Sequence, residues 1–309
     1  MNSAEIGFIF PAFVNEFIGT EKDIVSKHSD DFDILLKNAA DLVDSSLINF
    51  DIKTNNFLTD ELKIQFITYV FSCCISNILK KRNIITGYTA GYSMGLYAAL
   101  YHCNSITFED GLLLIKNAFN IIKNSTCNKK FGMGTVVGLD YHDMSKIISQ
   151  NSNNVENIST NSSHNFVISG DYYEVDKILN IAKEEGALYV RLLPVTCPYH
   201  SKFTGNAADE FGNYVKRINI NAPCSGIVSL IDQNILKTAD DIKKELAGNL
   251  NTGINWLNTM LKMIDLNVNI FIECGAGKTL YKIGKFIEGD FKIYSINKLD
   301  EFINDFAQT

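Results

Sequence analysis

Apolar residues follow two rhythms along the chain. Four stretches read as strands: "IGFIFPA" (6–12), "NIITGYTAG" (83–91), "NVNIFIECG" (267–275) and "FKIYSIN" (291–297). Each is short and rich in β-branched or aromatic residues. Between them, apolar positions recur at helical spacing over 32–48, 59–82, 94–103, 107–124, 239–250 and 253–264. Strands alternating with helices predict a mostly parallel sheet with helices on both faces.

The middle of the chain changes rhythm. "GMGTVVGLD" (132–140) predicts a strand, "YHDMSKIISQN" a helix, and "NVENISTNSSHNFVISG" a hairpin with strands near 155–160 and 165–169. "YYEVDKILNIAKEEG" then predicts a helix and "ALYVRLLPV" a strand. The order βαββαβ over 130–195 is a ferredoxin-like unit. The expected fold class is therefore α/β: a hydrolase-like, mostly parallel sheet with flanking helices and a small inserted ferredoxin-like α+β subdomain. The expected division gives 1–128 and 196–309 to a large catalytic subdomain and 129–195 to a small one.

Composition adds exclusions. The 309 residues are 46% hydrophobic and 20% charged, as in ordinary globular chains. A net charge of −7 argues against nucleic acid or an anionic membrane as the main partner. The N-terminus lacks a basic region, its apolar run breaks at Pro11, and no other stretch reaches span length free of charge. The seven cysteines, at 73, 74, 103, 127, 197, 224 and 274, are odd in number and include no Cys-x-x-Cys pair. That pattern argues against structural zinc and a disulfide framework. The expectation is a cytoplasmic, monomeric protein with no metal.

Candidate chemistry centres on "TAGYSMGLYAAL" (89–100), which holds Gly-Tyr-Ser-Met-Gly. A strand precedes it and a helix-prone run follows, the arrangement of a nucleophile elbow. Ser93 would be the nucleophile, and the N–H of Met94, at a helix N-terminus, an oxyanion donor. A Gly/Ser-rich turn without chemistry is the alternative. A serine needs a base, and the histidines are His28, His102, His142, His164 and His200. His200, in "LLPVTCPYHSKF", follows an apolar strand, a good place for a site on a parallel sheet. Spacing alone does not choose it. "ECGAGKTL" contains Gly-Lys-Thr, which can end a phosphate-binding loop, but Ile272 stands where that loop needs its first glycine.

Together these segments resemble one family. "TAGYSMGLYAAL" is similar to the "AGHSxGE" segment of malonyl-CoA:acyl carrier protein transacylases and polyketide synthase acyltransferase domains. "VTCPYHSKF" resembles their "PFHS" segment, "FIFPAFVNEF" their "FPGQGxQ", and "GMGTVVGLD", "ISTNSSHNFVISG" and "ECGAGKTL" their later landmarks, in order from about residue 6 to 297. The resemblance implies a Ser93–His200 dyad that forms an acyl-serine from a thioester. It implies a second oxyanion N–H at Phe13, in place of a glutamine. It implies an amide at Asn249, also in place of a glutamine, that holds the histidine. It further implies no bound cofactor: the acyl group arrives on the phosphopantetheine of an acyl carrier protein, or on CoA.

The departures matter more. Malonyl-specific members carry an arginine for the malonyl carboxylate, and the gapless alignment puts Ala118 there. Leu114, Ile115, Ile121 and Ile122 share its helical face, and Lys116 points elsewhere. An unpaired buried carboxylate is costly, so Ala118, Ile122 and Tyr92, which replaces a histidine, predict a pocket for an uncharged acyl chain. Tyr92 could equally be packing beside Tyr88 and Tyr97. Free-standing members that lack the arginine hydrolyse stalled acyl groups in polyketide pathways, so the acceptor is water or a carrier-protein thiol, with water favoured. The alternatives are a malonyl transacylase whose cation comes from the insert, for example Arg191, and a silent docking subunit. Acidic carrier proteins call for a basic patch. "LKKRN" (79–83) and "KNSTCNKK" (123–130) are the candidates.

Overall fold

The computed structural model describes residues 5–12, 14, 16–54 and 57–307. The first of its two sheets holds β1 (Glu5–Phe10), β2 (Tyr88–Gly91), β7 (Gly226–Val228), β8 (Ile235–Leu236), β10 (Val268–Glu273) and β11 (Lys292–Tyr294). The second holds β3 (Phe131–Val137), β4 (Val155–Ser162), β5 (Asn165–Asp171), β6 (Tyr189–Leu192) and β9 (Ile254–Asn255).

The first sheet runs β11-β10-β1-β2-β7-β8 and is parallel except for the β7–β8 pair. Alternation along β1 explains its two-sided burial. Phe8 and Phe10 enter one core with the helix Glu61–Lys81, whereas Ile9 enters a second core with Trp256, Met260 and Phe271. The helix Glu61–Lys81 is long and apolar enough to cross a membrane, but 83% of its apolar window is buried inside the fold. Here it serves as a core helix.

The second sheet runs β6-β3-β5-β4-β9, antiparallel except where β9 joins β4. Helices Tyr141–Asn151 and Tyr172–Glu184 follow β3 and β5. With them, β3 to β6 form the expected ferredoxin-like unit. Residues 254–255, from outside 129–195, complete the sheet.

Two expected helices change at their ends for local reasons. The run 32–48 divides into Ser29–Leu42 and a 3₁₀ turn, Ser45–Asn49. Asp44 accepts from the Ser46 N–H at 2.9 Å, a side-chain bond that competes with helix continuation. The run 253–264 begins as β9, after which Asn255 caps Trp256–Asp265 by accepting from the Asn258 N–H at 3.0 Å.

Register decides where the site lies. Phe10 pairs with Gly91, and Ile9 with Glu273. The carboxyl ends of β1, β2 and β10 are therefore level, and the segments after them meet at one edge. The cavity-facing side of the second sheet lies over that edge.

Candidate active site

Ser93 sits in the turn between β2 and the helix Gly95–His102, at φ 54°. A left-handed serine is strained, and the neighbouring glycines explain how the turn holds it. A Cβ on Gly91 would lie 2.3 Å from the Gly95 carbonyl, and one on Gly95 would lie 2.1 Å from the Phe10 carbonyl oxygen. The Tyr92 N–H donates to Phe10 at 2.8 Å, and the Gly95 N–H to Tyr92 at 2.9 Å. These contacts aim the Ser93 side chain away from the sheet.

His200, also left-handed at φ 59°, is buried beside it. Its Nε2 lies 2.6 Å from Ser93 Oγ. Burial lowers the imidazole to about 4, and the main-chain carbonyls of Asn249 and Thr252 offset part of that by favouring the charged form. Its Nδ1 makes no hydrogen bond of good geometry among the described residues. The ring is therefore neutral near pH 7 and able to accept the serine proton.

The other histidines are elsewhere. His102 is buried against Phe8 and Phe10, with Nδ1 2.8 Å from Ser76 Oγ, and burial lowers it to about 3. His142 and His164 line an outer groove of ≈ 820 Å³.

Of the expected oxyanion donors, the Met94 N–H is free of any protein acceptor among the described residues. Phe13 lies outside the described residues. Asn249 corrects the sequence expectation. Its side-chain Nδ2 donates to the Ser93 carbonyl at 3.3 Å, not to His200, and only its main chain faces the imidazole. Asparagine is one methylene shorter than glutamine, and at the end of the helix Ala239–Gly248 its amide reaches the elbow first.

Two spaces meet at Ser93 and His200. The smaller, ≈ 40 Å³, is lined by Met94, Tyr97, Ile115, Ala118, Phe119 and Leu250, with Gln65, Tyr199 and Asn249 as its polar members. Ala118 lines this slot, and among the described residues no Lys, Arg, Asp or Glu does. Lys116 donates to the Val43 carbonyl at 2.9 Å, on the far side of its helix. Ile122 is a second correction. It is fully buried core and faces neither space, because four residues carry it about 6 Å along the axis. Phe119 lines the slot instead.

The larger space, ≈ 650 Å³, lies under the second sheet. Alternate residues of one sheet face line it, namely Met133, Thr135 and Val137 of β3 and Tyr189 and Arg191 of β6. Glu16, Phe17, Ile18, Lys278, Thr279 and Lys282 close the opposite side. Arg191 thus borders this space and not the Ala118 slot. Tyr92 also faces it, edge-on to Trp256, and its hydroxyl lies 3.1 Å from Ser159 Oγ on β4. The expected apolar Tyr92 is thus a bridge between the elbow and the second sheet.

Sequence reasoning passed over Gln65, Tyr199 and Lys278. Gln65 had a signal, an amide among the buried residues of the helix Glu61–Lys81. Tyr199 stood beside the candidate histidine.

No protein-family model matches the chain. It is 25% identical over 307 residues to a malonyl CoA-acyl carrier protein transacylase of Staphylococcus aureus (strain MRSA252), covering 96% of this chain and 97% of that one. It is 23% identical over 305 residues to that of Bacillus subtilis (strain 168), covering 95% and 94%. A solved malonyl-transacylase, in complex with a holo type II polyketide synthase acyl carrier protein, superposes with a TM-score of 0.88 at 19% identity, covering 98% and 100%. The chain is thus similar to malonyl-CoA:acyl carrier protein transacylases over nearly its whole length and carries their fold.

Proposed function

We propose that this chain is an enzyme of the malonyl-CoA:acyl carrier protein transacylase family that forms an acyl-Ser93 intermediate from small uncharged acyl thioesters and releases the acyl group to water. The observation that carries the reading is the Ala118 slot: it opens on Ser93 and, among the described residues, has no cation for a carboxylate. A malonyl carboxylate buried there would be unpaired.

Ser93 Oγ attacks the thioester carbonyl while His200 Nε2 takes its proton. The Met94 N–H receives the oxyanion, and the neutral environment of the slot accommodates the acyl chain. The C–S bond then breaks, and the leaving thiolate takes the proton from His200. Water, deprotonated by the same nitrogen, attacks the acyl-serine and restores Ser93. A carrier-protein thiol could use the same base, and transfer is the competing outcome. The 2.6 Å contact between Ser93 and His200 supports catalysis over a silent docking role.

The thioester arm, on a carrier protein or CoA, enters through the larger space between the subdomains 129–195 and 1–128 with 196–309. No further cofactor takes part, and the setting is cytoplasmic. Of the two basic patches, 123–130 is favoured as the carrier contact. Lys123, Lys129 and Lys130 line a ≈ 580 Å³ groove that shares Leu193 and Val195 with the catalytic space. In the 79–83 patch, Lys81 is paired with Asp31 at 2.5 Å and Lys80 donates to Asn104 at 3.0 Å.

A second reading, malonyl transfer with a relocated cation, is favoured by one observation: Arg191, Lys278 and Lys282 border the larger space with no ion pair among the described residues. Radiolabelled acetyl and malonyl thioesters, given with holo carrier protein, separate the readings. Free labelled acetate supports the proposal, label on the carrier indicates transfer, and malonyl turnover favours the second reading. Ser93→Ala is the control for all three.

A further inference from the structure

Buried polar atoms in the Ala118 slot ask for a particular acyl group. Asn249 is 4% exposed. Its Nδ2 is committed to the Ser93 carbonyl, which fixes the amide orientation, and its Oδ1 is buried with no hydrogen-bond partner among the described residues. Gln65, 7% exposed, donates to the Tyr199 hydroxyl at 3.2 Å. All three residues line the slot together with Ser93.

An unpaired buried acceptor is rare and costly. An alkyl chain would leave Asn249 Oδ1 unpaired. A carboxylate, which only accepts, would set a negative oxygen near it. A hydroxyl both donates and accepts, so it can donate to Asn249 Oδ1 and accept from Tyr199 or Gln65. The ≈ 40 Å³ space has room for on the order of three water-sized groups, which limits the acyl group to a short one. We infer that the preferred substrate is the thioester of a short hydroxyacyl group, its hydroxyl held by Asn249 Oδ1 and the Gln65–Tyr199 pair.

This inference rests on the acyl-Ser93 reading, so the test separates the two. The full-length protein is given N-acetylcysteamine thioesters in isosteric pairs: glycolyl against propionyl, and 3-hydroxypropionyl against butyryl. Acylation rates are read from thiol release and intact mass. In at least one pair the hydroxyl member should react about ten-fold faster, as hydrogen bonds to an otherwise unpaired site imply. Tyr199→Phe should lower that ratio several-fold. Both pairs reacting within about two-fold would overturn the inference while leaving the acyl-enzyme intact. So would a preference that survives both Tyr199→Phe and Asn249→Leu. No adduct with any thioester would overturn the acyl-serine reading and this inference with it.

Discussion

His200 is a buried imidazole held neutral by desolvation, and under the proposed mechanism that has a kinetic signature. Its imidazole is lowered to about 4, so it stays deprotonated well below the ordinary histidine range. The rate of Ser93 acylation, measured as kcat/KM against pH, should hold steady downward from neutrality and fall only as pH approaches 4. A limb near 6.5 would mean an ordinary, solvated histidine. Ala118 gives the second residue-scale test. Ala118→Arg would put a guanidinium at the slot and should raise malonyl relative to acetyl acylation on the order of ten-fold, by the charge-assisted pairing it offers. At this scale the elbow around Ser93 stands out in the sequence because its residues are contiguous, whereas His200, 107 residues on, and Ala118 come only from the family resemblance. The Asn249 contact was not legible. Its amide reaches the elbow carbonyl and only its main chain faces the histidine, an outcome that three-dimensional reach alone decides.

Two buried carboxylates hold the segments that wall the larger space. Glu21 accepts from the Ile18 N–H at 3.0 and 3.2 Å and from the Gly277 N–H at 2.8 Å, tying together two stretches that border the larger space. Glu273, at the end of β10, accepts from the N–H groups of Leu280 and Tyr281 at 3.0 and 2.9 Å. Burial nevertheless raises it to about 7. The folded state therefore keeps this proton longer than the unfolded chain does. Its contribution to stability is present below pH 4.5 and is lost as pH rises through about 7. His102 and His200, lowered to about 3 and about 4, act oppositely: their contribution is present above pH 6.5 and lost as pH falls toward those values. Glu273→Gln should remove the first component alone. Denaturant unfolding of the variant should gain on the wild type by on the order of 3 kcal/mol between pH 4.5 and 7. A difference that does not change with pH would contradict the assignment. Strands β1, β2, β10 and β11 were legible because apolar runs bounded by turn residues identify them. The strands β7, β8 and β9 span three, two and two residues, too few to show a period, and pairing across the sheets creates them.

The two sheets together make the cleft, and this is the scale at which a carrier would bind. Charge reversal at Lys129 and Lys130 should raise KM for an acyl-carrier substrate several-fold and leave kcat/KM for a small thioester unchanged, since the patch adjoins the cleft without touching Ser93. An equal loss for both substrates would point to structural damage. The βα alternation and the βαββαβ middle were legible as patterns, but their joining was not. The Tyr92–Ser159 contact and the β4–β9 pair link residues far apart in the chain, and local periodicity carries no record of them. The central claim remains that the acyl slot takes no carboxylate. Its most direct test is the intact mass of the protein after brief exposure to equal amounts of malonyl-CoA and acetyl-CoA, with Ser93→Ala alongside. The account predicts an acetyl adduct that disappears in the variant and little malonyl adduct; a dominant malonyl adduct on Ser93 would contradict it.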